Sequence, residues 1–238
     1  MISLFPCLSD NYGFLLHVPE SGLTAAIDTP DADEIARQCD KQGWRLTHIF
    51  NTHHHYDHTG GNLALKDTYG VEIFGPKAER ARIPGLDRAL NDGEVFDFGG
   101  HAIHFLHTPG HTLGHGAYYV PDEGSVFVGD TLFIMGCGRL FEGSAEQMYD
   151  SLHRLAALPA ATKVYCAHEY TLSNGRFALS VEPDNEDLQA AIRAAQSLRD
   201  QGRPTVPGTI GQELKTNPFM RAESPEELAR IRAAKDRF

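Results

Sequence analysis

The 238-residue chain is short of three things: cysteine (4), tryptophan (1) and positive charge, with 21 Lys and Arg against 32 Asp and Glu. The cysteines, at positions 7, 39, 137 and 166, form no CxxC pair. That excludes a thiolate zinc module and argues against a disulfide framework, and it suits a reduced compartment. The net charge of -11 disfavours grip on a phosphate backbone, so neither nucleic-acid binding nor a nuclease is expected. No apolar run reaches the ~18 residues of a membrane helix. The N-terminal stretch MISLFPCLSDNYGF has neither a basic region nor a long apolar core, so no secretory signal is expected and a cytoplasmic location is. With 41% apolar residues, a chain of this length can bury the core of one large domain, or of one plus a smaller one.

What the chain does have is histidine, concentrated in Asn51–Gly60, NTHHHYDHTG. His53, His55, Asp57 and His58 can each donate a lone pair to a metal. They follow the β-branched apolar run 46–50, which reads as a buried strand ending in a loop. His53 and His55 are two apart and face the same way in extended backbone. Asp57 and His58 are adjacent and need a turn to converge, which suggests two ligand sets. His54 points away from its neighbours and is read as a non-ligand.

Short strands are expected at 2–5, 12–18 and 24–27, then a helix at 31–42 capped by Asp31 and closed by Gly43. A hairpin is expected over 94–107, turning at Gly99-Gly100, with His101, His104 and His107 on a half-exposed strand face. Pro109-Gly110 forces a turn before His111, Asp130 follows a strand at 125–128, and His168 follows one at 164–167. Ser144 and Gln147 form a capping-box pattern. From 171 the chain reads as helical and alanine-rich, broken by Pro183. Residues 202–218 read as a long connection, and a last helix opens at Ser224-Pro225. Every candidate ligand sits just after a strand, which suggests a two-layer β core with helices outside and one edge carrying the site.

Seven candidate ligands exceed what one catalytic zinc takes, three protein ligands plus water. They suit two ions sharing a carboxylate and a water. Imidazole and carboxylate without thiolate fit Zn, Fe or Mn without choosing among them; two divalent ions, Zn2+ before Fe or Mn, are the expected cofactor. THHHYDH (52–58) resembles the T-H-x-H-x-D-H signature of the metallo-β-lactamase fold family. TPGHTLGH (108–115), GDTLF (129–133), GCGRLFEG (136–143), AHEYTLSN (167–174), NPFMR (217–221) and RAAKDRF (232–238) are similar to bacterial glyoxalase II, the hydroxyacylglutathione hydrolases.

The resemblance implies an α+β fold, an αββα sandwich over residues 1–170 with a small C-terminal helical domain over 171–238. It implies hydrolysis of S-D-lactoylglutathione to glutathione and D-lactate by hydroxide held between two metals, the second step of methylglyoxal detoxification. By that resemblance His53, His55 and His111 hold one metal, Asp57, His58 and His168 the other, and Asp130 bridges. Asp57 and Asp130 are then the catalytic carboxylates, and Asp28 supports the site from behind. Arg139, Phe141, Tyr170, Arg232 and Lys235 fall where the family contacts glutathione. Some relatives have Lys and Tyr where this chain has Arg139 and Phe141. The expected partner is a small glutathione thioester, with no nucleic acid, no membrane and a monomeric chain. Cys137, between two glycines, has no His–Asn or His–Asp arrangement assigned to it once the metal ligands are removed, and is expected to pack a loop. Another hydrolase of the same fold, such as a lactonase, a persulfide dioxygenase, and a metal-binding protein without activity are the competing readings.

Overall fold

The computed structural model describes all residues, 1–238. They pack as two compact units, one of residues Met1–His107 with Gly114–Gly129 and one of Thr108–Leu113 with Asp130–Phe238.

In the first unit the strands β1 (Ile2–Cys7), β2 (Asn11–Val18) and β3 (Leu23–Ile27) form an antiparallel meander. The chain then crosses through α1 (Ala32–Gln42) to β4 (His48–Phe50), and through α2 (Tyr56–Thr59) and α3 (Asn62–Tyr69) to β5 (Glu72–Pro76) and β6 (Arg88–Leu90). From β3 to β6 the pairing is parallel, and the sheet runs β1-β2-β3-β4-β5-β6. Crossover helices cover one face of such strands, so β4 is buried on both sides. Ile49 joins Leu15, Ile35, Leu46 and Leu65 in the core under α1 and α3. Phe50 points the other way and packs on Phe96, Phe98 and Tyr118 at ring distances of 5.3, 5.2 and 5.5 Å. Those rings belong to the second sheet of this unit, the meander β7 (Val95–Phe98), β8 (His101–His107), β9 (Gly116–Val120) and β10 (Ser125–Gly129). The β7–β8 turn falls at Gly99 and Gly100, both with positive φ, as the Gly-Gly pair requires. Fully burying one such apolar side chain contributes roughly 1.5–3 kcal/mol.

The second unit is mostly helical. A tight hairpin, β11 (Leu132–Phe133) and β12 (Gly136–Cys137), precedes α4 (Ala145–Ala156), which starts with the full capping box of Ser144 and Gln147. Then come β13 (Lys163–Cys166), α5 (Thr171–Val181) and α6 (Glu186–Asp200), with Pro183 in the break between the helices. The stretch expected to be an open connection instead carries β14 (Gly208–Thr209), paired antiparallel with β13, and α7 (Ile210–Thr216). Thr209 caps α7 by accepting from the Gln212 amide, and Ile210, Glu213 and Thr216 are buried along one side. Prolines and glycines on either side hid that short helix, whose stability comes from burial rather than propensity. The chain's last helix, α8 (Pro225–Arg237), has Ser224 as its cap and Pro225 in its first turn.

Candidate metal centre

The first unit delivers its donors from the end of β4. Asp28, just after β3, has a left-handed backbone (φ 58°), a strained position for a non-glycine residue. Its carboxylate accepts from the Thr52 amide (2.7 Å), the Thr52 hydroxyl (2.7 Å) and His58 Nδ1 (2.8 Å). The Thr52 hydroxyl, having donated to Asp28, accepts from His53 Nδ1 at 3.0 Å. One buried carboxylate therefore sets both imidazoles with the proton on Nδ1 and the lone pair on Nε2. His53 Nε2 lies 3.0 Å from His55 Nδ1. Asp57 opens α2, and its Oδ2 is 3.4 Å from His58 Nε2 and accepts from Asn11 Nδ2 at 3.1 Å. His53 and His58 are buried, His55 and Asp57 half-buried. His54 turns instead to the buried Glu79, whose carboxylate also accepts from the Gly114 amide. The His115 ring stacks on His53 at 4.8 Å.

The second unit delivers His111, Asp130 and His168, all buried. His111 Nδ1 donates to the Arg139 carbonyl at 2.9 Å. A carbonyl can only accept, so Nε2 again keeps its lone pair. Asp130 presents Oδ2 to His111 Nε2 at 3.5 Å and Oδ1 to His168 Nε2 at 3.4 Å. That division of one carboxylate between two imidazoles is what a ligand shared by two ions needs. Gly138 keeps the chain close here, since a Cβ on it would stand 2.0 Å from the Asp130 carbonyl oxygen. Gly110, with φ 145°, lets the loop pass Met148 before His111.

These donors fit a metal. Nitrogen and oxygen ligands at ~2.0–2.1 Å in a tetrahedron stand about 3.3 Å apart. The donor pairs within each unit are 3.0, 3.4, 3.5 and 3.4 Å apart, and three of the four exceed ordinary hydrogen-bond length. Imidazole and carboxylate groups of metal-ligating type are thus arrayed in both units.

His111 and Asp130 also line a cavity of ≈ 740 Å³ in the second unit, together with Arg139, Phe141, Tyr170, Arg232 and Lys235. That volume suits a drug-sized ligand. Phe141 is exposed and lies edge-on to His111 at 5.2 Å, and Tyr170 stacks on His168 at 4.8 Å. Arg232 is buried, donating to the Cys137 carbonyl (2.9 Å) and to Asp236 (2.8 Å) over the Phe219 ring. Lys235 is half-buried and reaches the Ser173 carbonyl at 3.4 Å. Burial, then Arg232 and Arg176, lowers its pKa to about 8. Burial pushes the Cys137 thiol up to about 11, which keeps it protonated and inert as a nucleophile at neutral pH. Asn11, Thr52, Glu79 and Arg176 were not singled out from the sequence. Only the Thr immediately before the first histidine could have been flagged, because a hydroxyl beside a ligand is a common orienting group.

The sequence model of the metallo-beta-lactamase superfamily matches residues 25–168, and that of the hydroxyacylglutathione hydrolase C-terminus matches 169–238. A crystal structure of ETHE1 from Myxococcus xanthus is similar with a TM-score of 0.73 and 27% identity, over 98% of this chain and 90% of that one. The protein therefore has the metallo-β-lactamase fold, with a C-terminal helical region. It is 53% identical over 231 residues to a hydroxyacylglutathione hydrolase of Maricaulis maris, covering 97% of this chain and 90% of the relative. It is 54% identical over 226 residues to one of Methylococcus capsulatus, covering 95% and 88%. Within that superfamily, the chain belongs to the hydroxyacylglutathione hydrolase family.

Proposed function

We propose that this protein hydrolyses glutathione thioesters of 2-hydroxy acids, S-D-lactoylglutathione foremost, to glutathione and the free acid. The observation that carries the reading is one cavity holding both metal-type donors, His111 and Asp130, and cationic side chains suited to a peptide carboxylate, in a chain whose relatives bear the hydroxyacylglutathione hydrolase name. Those relatives leave the lactonase and persulfide dioxygenase readings without support of their own.

Two divalent ions fit the donor chemistry, Zn2+ first. His53, His55 and His111 would hold one, Asp57, His58 and His168 the other, with Asp130 between them. When bound, such a pair lowers the pKa of a water and polarises the thioester carbonyl. The residues do the rest. Asp28 keeps the Nε2 lone pairs of His53 and His58 aimed outward. Asn11 fixes the rotamer of Asp57, leaving its carboxylate to orient the attacking oxygen. The leaving thiol has a pKa of about 8.5 and departs as thiolate, so no general acid is required. Phe141 and Tyr170 flank the donors, and Arg139, Arg232 and Lys235 attract the tripeptide against the overall negative charge.

The two family matches, which meet at 168 and 169, support a catalytic domain over 1–170 and a substrate-binding helical domain over 171–238. The reading extends to a monomer in the cytoplasm. Four free cysteines suit a reducing compartment, and no helix is long and apolar enough to cross a membrane. The test is incubation of metal-loaded protein with S-D-lactoylglutathione. Release of glutathione and D-lactate in equal amounts is expected. No release by fully loaded, folded protein overturns the reading.

A further inference from the structure

Four cationic side chains line the cavity of the second unit: Arg139, Arg176, Arg232 and Lys235. Three have protein partners. Arg232 is held by the Cys137 carbonyl and Asp236, Arg139 Nε is 3.8 Å from Asp236, and Lys235 Nζ reaches the Ser173 carbonyl and lies 5.2 Å over the Phe177 ring. Arg176 is exposed on α5 and makes no hydrogen bond or ion pair. A lone exposed arginine is ordinary on a surface. This one shares a cavity with three other cations, while Asp236 is the only carboxylate paired with any of them. Such crowding of like charge disfavours the ligand-free cavity, and Arg176 is among the groups that lower the Lys235 pKa. An anion with more than one carboxylate relieves it.

The position along α5 places Arg176 away from the metal-type donors. The helix begins just after His168 and Tyr170 and passes Ser173, which holds Lys235, before Arg176. At ~1.5 Å per residue, Arg176 lies about 9 Å further along the axis than Tyr170. Arg232 and Lys235 can take one of the substrate's two carboxylates between them, which leaves the other for Arg176, the cation of this cavity without a protein partner. We propose that Arg176 is a specificity-determining contact for the α-carboxylate of the substrate's γ-glutamyl arm, distal to the reacting thioester. This rests on the thioester-hydrolase reading above and gives the glycine carboxylate to Arg232 and Lys235. The guanidinium fork matches a carboxylate bidentately. The contact is remote from the reacting carbonyl and equal in ground and transition states, so it sets KM and leaves kcat alone.

The test compares wild type, Arg176→Ala and Arg176→Lys on S-D-lactoylglutathione and on S-D-lactoyl-N-acetylcysteinylglycine, which lacks the γ-glutamyl arm and whose blocked amine cannot take the acyl group. Arg176→Ala is expected to raise KM for the full substrate about five- to tenfold, with kcat within twofold, and to leave KM for the truncated substrate unchanged. Arg176→Lys should fall between, keeping the charge and losing the fork. Equal penalties on both substrates, or none on either, overturn the proposal. Dissociation constants for S-methylglutathione and S-methyl-cysteinylglycine give the same comparison without turnover. If wild type binds the former in an Arg176-dependent way yet hydrolyses nothing, the contact stands and the activity reading falls.

Discussion

Replacing Asp28 with Asn removes one charge and no volume, yet it acts on two of the proposed metal ligands at once. The carboxylate accepts three hydrogen bonds, from the Thr52 amide, the Thr52 hydroxyl and His58 Nδ1, at 2.7, 2.7 and 2.8 Å. An Asn has one acceptor oxygen and an NH2 in place of the second. If its oxygen stays on the Thr52 amide, the NH2 faces the hydroxyl and His58. His58 can then accept at Nδ1 only by carrying its proton on Nε2, the nitrogen a metal needs. The Thr52 hydroxyl, no longer oriented toward Asp28, ceases to select the His53 tautomer. Loss of such a supporting carboxylate weakens metal affinity by about 10–100-fold, roughly 1.4–2.7 kcal/mol. Metal-free stability should also fall, since hydrogen bonds to a charged group contribute about 1.5–3 kcal/mol each and are lost only in part. Competition with a chromogenic chelator measures the affinity, and urea unfolding of the metal-free protein measures the stability. Unchanged metal affinity in Asp28→Asn would refute the tautomer argument, whatever happened to stability.

Asp130→Asn should weaken binding of at least one metal and lower kcat far more than KM; full metal content with unchanged kcat would remove Asp130 from the centre. Lys235→Ala should raise KM for S-D-lactoylglutathione about tenfold. Because the Lys235 pKa is lowered to about 8, its charge is present below that pH and lost above it, so wild-type KM should climb as pH passes 8. Lys235→Arg should stay flat over the same range, and parallel profiles for the two proteins would show that Lys235 is not the titrating group. Burial raises the Glu213 pKa to about 7, so its contribution to metal-free stability is full below the ordinary carboxylate pKa of about 4.3 and is lost as pH rises to 7. Glu213→Gln should therefore gain on wild type, by an amount on the order of 3 kcal/mol between pH 5 and pH 8, in paired urea titrations; a constant difference would mean that Glu213 does not titrate in the folded chain.

The parts of this molecule legible in the sequence are those written by short-range rules. Metal ligands are chemically rare side chains, and clustered after strand-like runs they stand out even where backbone detail does not: His53 to His58 were readable as donors, while the short helix α2 that carries Asp57 and His58 was not. The Gly99-Gly100 hairpin and the Asp31, Ser144 and Ser224 caps were readable because each is a local contest between a side chain and the backbone. The strand expected at 46–50 is shorter, His48–Phe50, and Leu46 joins the core under α1 and α3 from the segment before it. Helix α7 was invisible, because its stability comes from burial against distant residues. Glu213 accepts from the Met135 amide, 78 residues away, and nothing near it in the chain announces that. Asn11 is likewise 46 residues from the aspartate it steadies. Arg176 lies in no metal-ligand motif, and its interest arises only from the cavity it shares.

Under the proposed function, the centre of this thioester hydrolase is complete only with two metal ions. The most direct test is to titrate metal-free protein with Zn2+ while following S-D-lactoylglutathione hydrolysis and bound metal together. Activity is expected to plateau at two bound equivalents per chain. Full activity at one equivalent, with no further gain at two, would contradict it.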